Sequence, residues 1–462
     1  MEKKFAKTLS GYKKIGIIGL GITGKAAYNF FKNAGIPTKC WDEFENVRNN
    51  FAKLYPGAEM SSFDTWSDCS HIVVSPGIPL FYPKTHQVVK FATKHNITLT
   101  SDVEILHDFI KVRAKILAVT GTNGKSTTTA LIAHILKSSG INALEGGNLG
   151  TSALSLPLDK DVYVLELSSY QLEILESFRA NIAIFLNLTP DHLERHGNIE
   201  NYTKAKLKIF QNQDASDYSI VGVDNPITAW VFEEQKTRAS KTIGISYNSE
   251  LKSAKNVISY ENNILHDNFW AQEERIKDNI YLLGKHNREN ICAAYAACKA
   301  FGVDAREIIA HIATFKGLPH RMQYIGKIRE ISFYNDSKST NADSARPALE
   351  SLQNIFWLAG GIPKAGGIHS LKDCLSTVKK AYLFGRAATD FARTLEGEVQ
   401  FEIFQNLESA FDRAFSDARN DSGTEKSILL SPACSSLDQY ENFEKRGNHF
   451  AELYQTKKQE NK

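Results

Sequence analysis

Ile116-Leu117-Ala118-Val119-Thr120-Gly121-Thr122-Asn123-Gly124-Lys125-Ser126-Thr127 is the stretch whose reading decides the fold. Ile116–Val119 is a short apolar run of the kind that forms a buried strand. After Thr127 the period changes: Leu131 and Ile135, and Ile132 and Leu136, form apolar pairs four apart, and Gly140 stands where a helix-ending glycine belongs. The glycine-rich segment therefore joins a strand to a helix N-terminus. Backbone N–H groups and the helix dipole can hold phosphate oxygens there. Gly121 and Gly124 let the backbone close in, Lys125 supplies a cation, and the Ser126 hydroxyl can ligate Mg²⁺. The full phosphate-loop pattern has glycine where this chain has Val119, so the loop is a tighter variant.

Outward from the loop, Ile15–Ile18, Ile72–Val74, Tyr163–Leu165, Ile182–Leu186, Ile355–Leu358, Ala381–Phe384 and Ile428–Leu430 also read as short buried strands. Stretches of helical period lie between most of them. This alternation predicts an α/β chain of parallel sheets covered by helices. A length of 462 residues exceeds one compact core. Three domains are expected, at residues 1–103, 104–317 and 318–462, with the linker signal Gly317-Leu318-Pro319-His320-Arg321 at the start of the last. Residues 216–278 are more polar and less clearly periodic, and the charged tail Lys457–Lys462 is expected to fray.

The first domain opens with a second glycine loop, Gly19-Leu20-Gly21-Ile22-Thr23-Gly24, and Asp42 follows where a ribose-binding acid would fall. Alone, this pattern fits NAD. It equally fits any pyrophosphate at a helix N-terminus, and no nearby residues suggest hydride chemistry. It is read as holding the diphosphate of a nucleotide-linked substrate.

Composition narrows the classes. Hydrophobic residues at 42% and charged residues at 23% describe a globular chain, and a net charge of +3 implies no nucleic-acid arm. The six cysteines form no CxxC pair, which suits reduced thiols in the cytoplasm. Lys3, Lys4, Lys7, Lys13 and Lys14 precede an apolar stretch, Ile15–Ile22, that is too short and glycine-broken for a signal segment. No run approaches the roughly 20 apolar residues of a membrane helix.

Several polar residues stand where chemistry is expected. Glu166 ends the run Tyr163–Leu165, as an Mg²⁺-holding carboxylate beside a phosphate loop would; a rim carboxylate is the alternative. In Asp191-His192-Leu193-Glu194-Arg195-His196 the histidines are four apart, but Leu193 breaks the zinc-protease order, so His192 near Mg²⁺ and phosphate is preferred over a shared metal or two surface histidines. Lys206 falls on the face of Tyr202, Ile209 and Phe210, where an apolar residue is expected. A desolvated lysine there would lose its proton readily and could react with CO₂ to form a metal-binding carbamate; snorkelling to solvent remains open. Three further polar loops, Asn335–Asn341, Gly360–Lys364 and Ser431–Ser436, follow strands and suit a small carboxylate ligand, or are ordinary capped turns.

Together, Gly121–Thr127, Leu165–Ser169, the Asp191-His192 pair, Gly317–Arg321, Asn335–Asn341 and Ser431–Asp438 resemble the Mur ligases over essentially the whole chain. The last two motifs look like the branch that adds D-glutamate. The resemblance implies a Rossmann-like UDP-binding domain, a central P-loop ATPase domain and a Rossmann-like C-terminal domain. It implies that ATP phosphorylates the alanyl carboxylate of UDP-N-acetylmuramoyl-L-alanine and that the amine of D-glutamate attacks the acyl phosphate. This is a step of cytoplasmic peptidoglycan precursor synthesis. By matching position, Gly121, Thr122, Asn123, Gly124, Lys125, Ser126, Thr127, Asn290, Arg321 and Asp336 look like ATP contacts. Ser126, Glu166, His192 and carbamylated Lys206 look like the ligands of two Mg²⁺ ions, with Lys125, His192 and Lys206 catalytic. Ile22, Thr23, Asp42, Gly147, Asn148 and Ser168 look like contacts to the UDP-sugar, and Lys364, Thr340, Ser436 and Phe443, with Lys338 nearby, like contacts to D-glutamate. Glu43-Phe44 and Ile362–Gly367 depart from the common form of the family. A monomer with no nucleic-acid or membrane partner is expected. The competing readings are a sister ligase adding another amino acid and a non-catalytic nucleotide-sugar-binding regulator, with an NAD dehydrogenase behind them.

Overall fold

Every apolar run singled out in the sequence is a strand, and three sheets result in the computed structural model, which describes residues 7–461 except residue 365. Lys3, Lys4, Ala365 and Lys462 lie outside the described residues. The first sheet contains β1 (Ile15–Ile18), β2 (Thr38–Trp41), β3 (Glu59–Met60), β4 (His71–Val74) and β5 (Thr98–Thr100), all parallel, in the order β3-β2-β1-β4-β5. The strand order reverses beside β1, so the glycine loop after it sits at a topological switch point.

The second sheet holds β6 (Lys115–Thr120), β7 (Ala143–Gly147), β8 (Val162–Glu166), β9 (Ile182–Phe185), β10 (Tyr218–Gly222), β11 (Lys241–Ser246), β12 (Val257–Glu261), β13 (Ile264–Asp267) and β14 (Gln272–Arg275). Its order is β14-β13-β12-β11-β10-β9-β6-β8-β7, parallel except where β13 pairs with β12 and β14. Residues 216–278, expected to be poorly periodic, thus supply five strands. Asn262 and Asn263 both have positive φ, 49° and 62°, which closes the β12–β13 hairpin. β14 reads Gln-Glu-Glu-Arg, is mostly exposed and has no apolar face to announce it.

The third sheet contains β15 (Gln323–Ile328), β16 (Ile331–Asn335), β17 (Ile355–Gly360), β18 (Val378–Phe384), β19 (Gln400–Phe404) and β20 (Lys426–Leu430). Its order is β15-β16-β20-β17-β18-β19, parallel apart from β15. Alternation places Trp357, Leu383 and Leu429 in one core layer, and Leu358, Tyr382, Ile428 and Leu430 in the other. A sheet buried on both faces needs apolar residues at every position, which explains the continuous runs.

The chain divides into two compact units. Residues 1–277 with 289–312 form the first, containing the first two sheets; residues 278–288 with 313–462 form the second, containing the third sheet. The helix Lys285–Phe301 crosses the division. The C-terminal tail does not fray as expected: the helix Phe443–Glu460 runs nearly to the end. Phe450 and Tyr454 anchor it in the core, and Lys457 Nζ pairs with Asp412 at 3.0 Å and Glu460 at 3.2 Å.

Candidate active site

β6 runs on through Thr120, and the helix Lys125–Ser138 begins after Gly124. Gly124 has φ +84°, and a Cβ there would lie 2.3 Å from Asn290 Oδ1, so only glycine fits. Asn290 Oδ1 accepts from Thr128 Oγ1 at 3.0 Å, which brings the expected Asn290 against the loop. At the far end Gly140 N–H reaches Lys137 O and Ile141 N–H reaches Leu136 O, the glycine-terminated end read from the sequence.

Two lysine side chains converge on this loop. Lys125 Nζ donates to the carbonyls of Gly121 at 3.0 Å and Thr122 at 2.7 Å. Lys206 Nζ donates to the same Gly121 carbonyl at 2.8 Å and to Thr120 Oγ1 at 3.3 Å. Lys206 does not snorkel: it is 1% exposed, with Nζ 4.7 Å from the centre of the Tyr202 ring. Burial, then the charge of Lys125, holds its pKa well below the usual lysine value, against opposing fields from Asp191 and Glu166. Burial at this position favours the neutral amine over the ammonium.

Glu166 ends β8 and is buried, not a rim carboxylate. Its Oε1 accepts from Asn148 Nδ2 at 3.0 Å, while Oε2 is buried with no hydrogen-bond partner among the described residues. An orphaned carboxylate oxygen at the end of a strand beside a phosphate loop fits a cation. Among the described residues no three His, Cys, Asp or Glu side chains gather into a ready metal cluster. A cation here would complete its shell with the Ser126 hydroxyl, phosphate oxygens and water, as suits Mg²⁺. His192 stands just before the short helix Leu193–His196, with φ +54°. Its Nδ1 lies 2.9 Å from Tyr170 Oη. His196 is buried with Nε2 3.0 Å from Ser169 Oγ, so the two histidines serve different partners.

The expected UDP-sugar residues divide between two loops. In the first, the helix Ile22–Asn33 starts without a side-chain cap, leaving N–H groups at Ile22 and Thr23 for an anion. A Cβ on Gly24 would lie 2.1 Å from Gly19 O. Asp42 accepts from Leu20 N–H at 2.8 Å and Phe44 N–H at 3.0 Å, so it braces the loop. In the second, Gly147 ends β7 and Asn148 follows it, its N–H donating to Glu166 O at 2.8 Å. Ser168 caps the short helix Ser169–Leu172 in a reciprocal arrangement with Gln171.

In the second unit, the three polar loops follow β16, β17 and β20, which are adjacent strands, so the topology itself gathers them. Asp336 is buried and accepts from Ser431 Oγ at 2.8 Å and Met322 N–H at 3.1 Å; burial pushes its pKa up to about 7, against the nearby Arg321 charge. Lys338 Nζ lies 5.1 Å over the Phe443 ring. Thr340 is half-buried, Lys364 exposed and Ser436 buried.

Sequence reasoning missed three residues that hold these loops. Asn187, just past β9, receives Asn123 N–H on Oδ1 at 2.9 Å. Glu289, 5% exposed, accepts from Asn187 Nδ2 at 2.8 Å. Arg446 is fully buried and donates to Ser337 Oγ at 3.0 Å, Ser337 O at 2.8 Å, Cys434 O at 3.0 Å and Gly360 O at 3.4 Å, one bond or more for each loop. Burial lowers its pKa to about 10. The pattern Arg446, Phe450, Tyr454 puts a cation on an apolar helix face, the same signal that exposed Lys206.

A strand–loop–helix phosphate site, a buried lysine beside it and a third doubly covered sheet define a class: multidomain, ATP-handling α/β proteins. Family models agree along the chain. The MurD-like N-terminal domain of Mur ligases matches residues 13–99, the Mur ligase middle domain 119–298, and the Mur ligase glutamate ligase domain 320–434. The chain belongs to the Mur ligase family. It is 44% identical to the UDP-N-acetylmuramoylalanine--D-glutamate ligase of Rickettsia prowazekii, covering 96% of this chain and 99% of that one. The protein of the same name from Caulobacter sp. is 40% identical over 95% of each. Among solved structures, MurF from Acinetobacter baumannii shares the fold with TM-score 0.62 at 17% identity, covering 98% of both chains. MurC from Thermotoga maritima does so with TM-score 0.57 at 19% identity, covering 96% of this chain and all of that one.

Proposed function

We propose that this chain joins D-glutamate to UDP-N-acetylmuramoyl-L-alanine at the expense of ATP. The observation that carries the reading is the convergence of Lys125 and Lys206 on the Gly121 carbonyl at a helix N-terminus, in a chain aligned end to end with relatives bearing that name. A carboxylate is a poor acyl donor at neutral pH. An alanyl carboxylate oxygen attacks the γ-phosphorus, ADP leaves, and the acyl phosphate now carries a leaving group. The D-glutamate amine attacks the acyl carbon through a tetrahedral intermediate, loses a proton, and expels phosphate. Lys125, the loop N–H groups of Gly121 to Thr127, and Asn290 hold the ATP phosphates, and Arg321 and Asp336 are also read as ATP contacts. Mg²⁺, when bound by Ser126, Glu166 and His192, neutralises phosphate charge. The desolvated Lys206 amine can add CO₂ and release a proton, and the carbamate would extend the ligand set to a second ion.

Ile22, Thr23 and Asp42 hold the uridine diphosphate end, and Gly147, Asn148 and Ser168 the sugar end. Lys338, Thr340, Lys364, Ser436 and Phe443 receive D-glutamate, with domains near residues 1–103, 104–317 and 318–462. A monomer in the cytoplasm is the expected state, and six unpaired, buried thiols suit a reducing compartment. The test is phosphate release from ATP with Mg²⁺ and UDP-N-acetylmuramoyl-L-alanine, adding one amino acid at a time. Release dependent on D-glutamate, with a product heavier by one glutamyl unit, is expected. Release with another amino acid moves the specificity to a sister reaction, and no release with any favours a binding protein.

A further inference from the structure

Glu289 is a carboxylate buried beside the phosphate loop, and among the described residues no cation pairs with it. It lies between the ends of β9 and β10: a Cβ on Gly222 would stand 1.8 Å from Leu186 O and 2.7 Å from Glu289 Oε1, so position 222 leaves room for neither a side chain nor a shifted carboxylate. Burying an unpaired carboxylate is costly, and Glu289 is held near pH 7 by burial, with Asp224 adding to the shift. A group kept at such a cost beside a ligand site invites a role. Its partner is Asn187. One Nδ2 hydrogen of Asn187 goes to Glu289 Oε2 at 2.8 Å and the other to Asn123 O at 3.3 Å, while Oδ1 receives Asn123 N–H at 2.9 Å. Asn187 O also accepts Thr122 N–H at 2.9 Å. Turned by half a rotation, the Asn187 amide would set its oxygen against the carboxylate and its NH₂ against Asn123 N–H. Glu289 therefore dictates which way the amide faces. The neighbouring Asn290 braces the other half of the loop at Gly124 and Thr128.

We propose that Glu289 is a positioning residue for ATP: through Asn187 it fixes the Asn123 peptide and so holds the loop N–H groups in their phosphate-binding orientation. This rests on the reading of Gly121–Thr127 as the ATP site. The acceptor, not the charge, does the positioning, and this distinguishes it from a merely structural group. Glu289→Ala in the enzyme raises KM for ATP about tenfold, the worth of one buried hydrogen bond. It leaves kcat and the KM values of the other two substrates within about twofold. Glu289→Gln, which keeps an acceptor oxygen, restores KM for ATP to near wild type. Glu289→Ala placed on Asn187→Ala adds nothing further. Should Glu289→Ala not fold, Glu289→Met fills the volume without an acceptor and takes its place. An unchanged KM for ATP in the Ala or Met variant, equal losses for all three substrates, or a Gln variant as impaired as Ala overturns the proposal. Equilibrium dialysis of ATP against the wild-type protein separates the two claims: no ATP binding there removes the ATP assignment itself, whereas wild-type binding matched by Glu289→Ala removes only this one.

Discussion

The first unit contains two glycine loops that differ in what braces them. Both follow the strand at a sheet's crossover point and open a helix, and neither helix start has a side-chain cap. At Gly19–Gly24 the brace is a carboxylate, Asp42, on the Leu20 N–H. At Gly121–Lys125 the braces are neutral amides, Asn187 and Asn290, and two lysine side chains lean on one carbonyl. The backbone device is the same; the side chains behind it set how much negative charge it tolerates. A carboxylate bonded into a loop weakens its pull on an anion, which suits a diphosphate already esterified at both ends. A triphosphate with a transferring γ-group needs the Lys125 cation.

The sharpest way to break this contrast is Lys125→Ala. ATP turnover is expected to fall by about 10³-fold or more, with binding of the UDP-sugar unchanged; retained turnover would remove the nucleotide from this loop. Lys206→Ala comes next. It is expected to lose activity about 100-fold and to regain part of it when a short carboxylate is added to the buffer. Rescue absent at every carboxylate concentration would leave the carbamate unsupported. Gly24→Ala is the converse test on the first loop. Its Cβ must displace Gly19 O, at a cost of about 2 kcal/mol, read as a lowered Tm. UDP-sugar binding should weaken while ATP binding in a pull-down or dialysis assay holds.

The smallest effect concerns the helix Asp102–Ile110, which follows the first sheet and precedes β6. Burial lowers the His107 pKa to about 4, against about 6.5 in the unfolded chain. The unfolded state therefore binds the proton more readily below pH 6.5. The stabilisation is fully present above that value and is lost as pH falls towards 4, about 1–2 kcal/mol at pH 5. Thermal melts of wild type and His107→Gln should converge as pH falls from 7 to 5; a constant difference would contradict the assignment.

How much of this was readable in advance follows from what each residue does. The doubly buried strands announce themselves, because parallel sheets demand unbroken apolar runs. The phosphate loop does so because only glycine, lysine and a hydroxyl in that order serve. Lys206 was ambiguous: helical period places it on an apolar face but cannot say whether the stem bends outward, and only the bond to Gly121 O decides. Asn187 and Glu289 left no trace, since their role is a hydrogen bond between residues 102 apart. β12–β14 were legible only in part: the Asn262-Asn263 pair is a hairpin signal, but an exposed edge strand such as Gln272–Arg275 carries no apolar pattern.

The division of the chain also bears on how it can be cut. The second unit takes residues 278–288, which include the first turn of the helix Lys285–Phe301. Within it, Leu283 packs on the third sheet's core, Asn279 Nδ2 donates to Phe315 O at 2.9 Å, and a Cβ on Gly284 would lie 2.1 Å from Ser351 Oγ. A fragment truncated to begin at residue 313 would lack that segment and expose the apolar seat of Leu283. The C-terminal lobe is thus not a severable cassette. Its first piece, residues 278–288, leaves the ribosome before the rest and must wait, unpaired, until the remainder is delivered.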